Sequence, residues 1–316
     1  MSTENTAAPR QTLSVMDACA MIVGIVIGAG IFKAPSIVAG SVSSETVFIA
    51  LWVAGGLVSL VGALCYAELG SSFPNAGGEY HFLSRAFGSK LAFLFAWARM
   101  SVIQTGAIAA IAFVFGDYAS QLWPLGEKGA VIYAMIVVAA VTALNLAGTR
   151  ESKSLQTVLT SALALAIFAL IVVGLLHGGT VSAVATPPAS PSAPLFSQLA
   201  LIFILLTYGG WNEAAYLTAE MQDARRNIVR ALLLGILAVT VLYVLLNLAY
   251  LNVLGLEGMR NSRAVAADLM QATLGGTGKA VLSVIVMAAA VSTLNATTFT
   301  GARTNFALGR DIRMFR

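Results

Sequence analysis

Gly24-Ile25-Val26-Ile27-Gly28-Ala29-Gly30-Ile31-Phe32-Lys33-Ala34-Pro35 is the stretch that decides how this chain folds. It sits in an apolar run long enough for a membrane helix, and each of its glycines costs about 1 kcal/mol relative to alanine in a helix interior. At that density the helix is expected to break near Gly28 to Gly30. Lipid cannot satisfy the freed N–H and C=O groups, so an unwound stretch must be buried in protein or line a cavity, where a bound ligand can satisfy them. Close helix packing through the Gly24 and Gly28 pair is the competing reading. A dinucleotide-binding loop is a third, but the third glycine, the preceding strand and the later ribose carboxylate are missing.

Working outward, 58% of the residues are hydrophobic and only 10% are charged, and the apolar runs are of about the 20 residues that cross a hydrocarbon core. They fall at roughly Met16 to Val38, Thr46 to Leu69, Leu91 to Phe115, Ala130 to Gly148, Leu155 to Leu176, Leu195 to Ala219, Ile228 to Leu254 and Lys279 to Ala302. The runs are unbroken instead of alternating, which excludes a membrane barrel and predicts an all-α polytopic membrane protein with eight spans. Residues 1–15 read as a disordered tail, and the Ser- and Pro-rich residues 177–194 as an extracellular loop between five spans (16–176) and three (195–316).

Lys and Arg set the orientation. With the N-terminus inside, the cytoplasmic side collects Arg10, Arg85, Lys90, Arg150, Lys153, Arg225, Arg226, Arg230, Arg303, Arg310, Arg313 and Arg316, while the outside collects Lys33, Lys128, Arg260, Arg263 and Lys279. The chain is therefore expected in the plasma (cytoplasmic) membrane with both termini cytoplasmic. No basic cluster with aromatic platforms accompanies the net positive charge, so nucleic acid is not an expected partner. Cys19 and Cys65 read as small packing residues.

The sixth span reads Leu206-Thr207-Tyr208-Gly209-Gly210-Trp211-Asn212-Glu213, a second helix interrupted by glycines and carrying polar groups. Paired Gly-interrupted helices at corresponding positions of two halves point to a transporter site near the bilayer midplane. Unwinding at Gly28 to Gly30 exposes the amides of Ala29, Gly30 and Ile31 to an anion, and the carbonyls of Val26, Leu206 and Gly209 form a negative pole. A helix terminus contributes about 0.3 to 2 kcal/mol, whereas a charge at mid-membrane costs about 2.5 to 3.5 kcal/mol on insertion scales, so one pole alone does not suffice. A zwitterionic α-amino acid satisfies both. Tyr208 and Trp211 read equally well as site residues and as buried aromatics with a polar handle.

Four strings carry a family resemblance: Gly28-Ala29-Gly30-Ile31-Phe32; Asn75-Ala76-Gly77-Gly78-Glu79-Tyr80 followed by Ala86-Phe87-Gly88; Tyr208-Gly209-Gly210-Trp211-Asn212; and Ala307-Leu308-Gly309-Arg310-Asp311. Their order and spacing resemble the amino acid, polyamine and organocation superfamily, and most of all its L-type amino acid transporter branch. The resemblance implies an inverted-repeat transporter fold with discontinuous first and sixth helices, here with an incomplete second repeat, because relatives usually carry twelve helices. It also implies secondary transport of amino acids by alternating access without an organic cofactor. By position, Ala29 and Gly30 would meet the carboxylate, Val26, Leu206 and Gly209 the ammonium, and Trp211 and Asn212 would line or support the site. Ala29 stands where many relatives have serine, and Leu163 where many L-type relatives have lysine, so a coupling scheme built on that lysine is not expected. The coupling ion, a partner subunit and the identity of the amino acid stay open.

Among other intramembrane polar groups, Glu213 is a candidate proton or cation sensor, and Ser292 and Thr293 are weaker candidates for a sodium site. Arg99 is expected to snorkel or to pair with Glu68. Competing readings are a non-transporting amino acid sensor or scaffold of the same fold, a polyamine or organocation transporter, and a membrane enzyme. For the last, nucleophile elbow, catalytic carboxylate pair, phosphate loop and metal-ligand spacing are all missing from the sequence.

Overall fold

The computed structural model describes residues 15–73, 78–146, 153–177, 196–212 and 224–311. The expected tail, nearly all of the expected extracellular loop, and Glu213 lie outside these. The helices are α1 (Val15–Val26), α2 (Ala34–Ala39), α3 (Glu45–Ser72), α4 (Gly78–Phe87), α5 (Ser89–Ala98), α6 (Gln104–Leu122), α7 (Gly129–Leu146), α8 (Lys153–Leu176), α9 (Gln198–Thr207), α10 (Ala224–Asn261) and α11 (Val265–Asp311). Five helices among the described residues are long and apolar enough to cross a membrane: Glu45–Ser72, Ser89–Leu122, Gly129–Leu146, Arg226–Asn261 and Val265–Asn295. With no ordered β-strand element among the described residues, the chain is an all-α membrane protein.

Several boundaries differ from those the apolar runs suggest. The third span runs on to Leu122, and it is joined to α5 by one π turn, Arg99–Ile103, whose wider ring the hydropathy pattern does not register. A short helix, α4, fills what reads as a loop after the second span. Gly255 (φ 64°) and Gly275 (φ 71°) interrupt α10 and α11, so each long helix is a span joined to a shorter helix through a left-handed glycine that other residues rarely tolerate. The last helix also continues past Ala302 to Asp311.

Small residues set how closely the spans approach, as is common where lipid supplies no hydrophobic driving force between helices. A Cβ on Gly55 of α3 would collide with Ile204 of α9, and one on Gly56 with Thr240 of α10. A Cβ on Gly235 of α10 would lie 2.9 Å from Cγ2 of Ile22, which is how α1 lies flat against α10. At the centre Trp52, Tyr208 and Tyr243 form a fully buried aromatic cluster, with ring centroids 5.1 to 6.0 Å apart.

Candidate functional site at the helix breaks

The first span breaks where its glycines crowd. α1 ends at Val26, Ile27 and Gly28 are non-helical, and Gly28 is extended (φ −108°, ψ −176°). The chain then makes a 3-10 turn over Ala29–Phe32 and enters α2 with Pro35 in its first turn, where a missing N–H costs nothing. Among the described residues no backbone carbonyl accepts from the amides of Ala29 or Gly30. Gly30 is exposed while Ala29 and Ile31 on either side are buried, so the break opens onto accessible space at Gly30.

The sixth span breaks beside it. α9 ends at Thr207, the chain turns over Tyr208, Gly209 and Gly210, and Gly210 sits at φ 106°. Trp211 and Asn212 begin a 3-10 turn, with the following residues outside those described. The far ends of α2 and α9 are pinned together by an antiparallel bridge between Val42 and Phe196 and by the Ser197 N–H donating to Ser41 O at 2.8 Å. This places the start of the 3-10 turn next to the end of α9: a Cβ on Gly30 would lie 3.7 Å from Thr207 Oγ1 and 3.9 Å from its Cα. The break in one span thus lies beside the end of the helix that leads into the other.

A residue that the sequence reading missed joins the two breaks. Tyr243 of α10, fully buried, places its hydroxyl 3.0 Å from Val26 O, to which it donates, and 3.4 Å from Thr207 O. The Val26 carbonyl also accepts from the Gly28 N–H at 2.8 Å, so both of its lone pairs are engaged in this conformation. Leu206 O accepts from the Gly209 N–H at 3.1 Å, and the Leu206 side chain is exposed. No local pattern marks Tyr243, because its role depends on the approach of α10 to both breaks.

The remaining predicted residues are placed as follows. Tyr208 is fully buried and donates to Trp52 O at 3.0 Å, which spends its hydroxyl proton on the second span. Trp211 closes over Gly62, whose added Cβ would lie 2.7 Å from the indole, and meets Tyr66 edge-on at 5.2 Å. Asn212 donates to Glu79 at 3.0 Å. Ser292 is buried in α11, and Thr293 donates to Ala289 O of its own helix, a back-bond common for threonine in membrane helices. Arg99 pairs with Glu79, a carboxylate the sequence reading did not name for it, and Glu68 accepts from Ser72. Glu79 reaches it because α4 folds back under the third span, which hydropathy could not show.

On the C-terminal side of the break, Lys33 donates to Asp117 at 2.5 Å and to Arg263 O at 3.2 Å. Tyr118 donates to Phe32 O at 3.1 Å. Arg260 donates to Ala39 O at 3.0 Å and to Val42 O at 2.8 Å, satisfying carbonyls at the end of α2. These contacts hold the C-terminal half of the first span to α6 and α10.

Five apolar helices of membrane-crossing length among the described residues define an integral membrane protein. The chain matches the amino acid permease family over residues 13–314, and it belongs to that family. It is 30% identical to the b(0,+)-type amino acid transporter 1 of Mus musculus, over 100% of this chain and 66% of that protein. It is 31% identical to the large neutral amino acids transporter small subunit 2 of Homo sapiens, over 96% of this chain and 58% of that protein. The chain therefore spans about three fifths to two thirds of the length of these relatives.

Proposed function

We propose that the two breaks bind a free α-amino acid, and that the chain acts as the core of a secondary transporter working by alternating access. The observation that supports this reading is the closeness of Gly30 to Thr207 at the end of α9, with no backbone carbonyl among the described residues accepting from the amides of Ala29 and Gly30. The carboxylate sits against the amides of Ala29 and Gly30, with Gly28 and Ile31 shaping the turn. The ammonium sits among the carbonyls of Val26, Leu206 and Gly209, and Tyr208, Gly210, Trp211 and Asn212 build the wall beyond. Since both lone pairs of Val26 O are engaged, an ammonium there also donates to the Tyr243 hydroxyl oxygen, which accepts no bond among the described residues.

Glu213, which directly follows Asn212, is the coupling candidate; Ser292 and Thr293 are second choices. Uptake and exchange of labelled amino acids by vesicles containing the purified chain test the reading. Accumulation or exchange of an α-amino acid supports transport, and binding without either favours a sensor. In vesicles that show uptake, Glu213→Gln is expected to alter the pH dependence or the preference for cationic substrates, and a variant equal to the parent on both would reduce Glu213 to packing.

A further inference from the structure

Glu79 receives donors from three separate parts of the chain. Tyr66 Oη of α3 donates to Oε1 at 2.9 Å, Asn212 Nδ2 to the same oxygen at 3.0 Å, and Arg99 to Oε2 at 2.5 Å. The Arg99 and Glu79 side chains are only 20% and 15% exposed, so this is not the solvated surface pair that contributes little. Two of the three donors belong to the wall after the sixth-span break: Asn212 lies in it, and Tyr66 packs edge-on against Trp211. The third comes from the first residue of the π turn, a local widening found often at functional positions. A carboxylate has about four acceptor directions, and three are used here, which fixes its orientation.

We propose that Glu79 is a positioning residue for the amino acid site. It holds Asn212 directly and Trp211 through Tyr66, while Arg99 keeps the carboxylate in register. The wall beyond Gly210 is then formed only while α3, α4, the third span and the sixth-span break are joined, and parting them releases Asn212 and Trp211 together. This rests on the reading that the break lines the amino acid site.

The test uses the full chain in vesicles of phosphatidylcholine, with two readouts. Hydrogen–deuterium exchange without ligand follows residues 208–212, with 228–253 of α10 as the internal control, and labelled L-leucine and L-alanine report binding. Glu79→Gln keeps the shape and one acceptor oxygen but removes the charge. Exchange at 208–212 and Kd are each expected to rise roughly tenfold while the control segment is unchanged, the scale set by one charge-assisted hydrogen bond. The swap Glu79→Arg with Arg99→Glu rebuilds the ion pair, and an arginine at 79 can still donate to the Tyr66 and Asn212 oxygens, so both readouts should return to within about threefold of the parent. Unchanged exchange at 208–212 in Glu79→Gln, a rise shared equally by α10, or a swap no better than the single variant would each overturn the proposal. If the parent binds neither of these amino acids nor labelled L-arginine, the site reading fails, and the ligand-free exchange still decides the role of Glu79.

Discussion

The two halves of the first span are held in different ways. After Gly28, the 3-10 turn and α2 are buried almost throughout and are fastened by the Lys33 to Asp117 ion pair, the Tyr118 to Phe32 bond and the two Arg260 bonds. Before Ile27, α1 lies on α10 through apolar contacts such as Ile22 over Gly235. Among the described residues its polar tie is one bond, from Tyr243 to Val26 O at its last turn. Within a bilayer, apolar packing gains dispersion but no hydrophobic driving force, because lipid tails are as apolar as leucine. On these contacts the C-terminal half is the more firmly fixed of the two, and the break is the joint between them.

The comparison breaks most visibly if the fixed half is unfastened. Lys33→Met leaves Asp117, which is 7% exposed, without its cation; stability is expected to fall by roughly 3 kcal/mol, read as a lower thermal midpoint of the purified protein. Overpacking the other side comes next. Gly235→Val forces a side chain into Ile22, which either costs about 1 to 3 kcal/mol or pushes α1 away, and faster hydrogen exchange confined to residues 18–26 would show the second outcome. Tyr243→Phe removes one neutral hydrogen bond at the joint, so substrate affinity should fall by roughly fivefold, about 1 kcal/mol, in equilibrium binding. Gly28→Ala should do least. Its Cβ would meet nothing closer than Val26 O at 4.0 Å and its φ is ordinary for an alanine, so binding and stability should stay within about 0.5 kcal/mol of the parent.

Much of this was legible in the sequence. The crowding of Gly24, Gly28 and Gly30, and the pair Gly209-Gly210, mark both breaks because helix propensity is a local property. Unbroken apolar runs likewise give the spans, though α9 and the two halves of the first span are individually too short to be recognised as membrane helices by length alone. What could not be read is who meets whom. Asp117 looks like a loop acid after the third apolar run, and only the fold brings Lys33 onto it. Glu79 lies inside a string that carries the family resemblance, yet its partners at 66, 99 and 212 come from three elements that nothing local connects. Gly255 and Gly275 carry no more signal than any other glycine until the backbone shows them left-handed.

The account depends on backbone amides freed at Gly28 to Gly30 contacting the carboxylate of an amino acid. Equilibrium binding of labelled amino acids to Gly30→Leu tests this most directly, since a Cβ at this position already reaches 3.7 Å from Thr207 and a larger side chain fills the gap between the breaks. The expected result is a loss of affinity of roughly a hundredfold or more, about 3 kcal/mol, in a protein that still inserts and keeps its thermal midpoint. Affinity equal to that of the parent would contradict the account, because the ligand would then be bound somewhere other than between the two breaks.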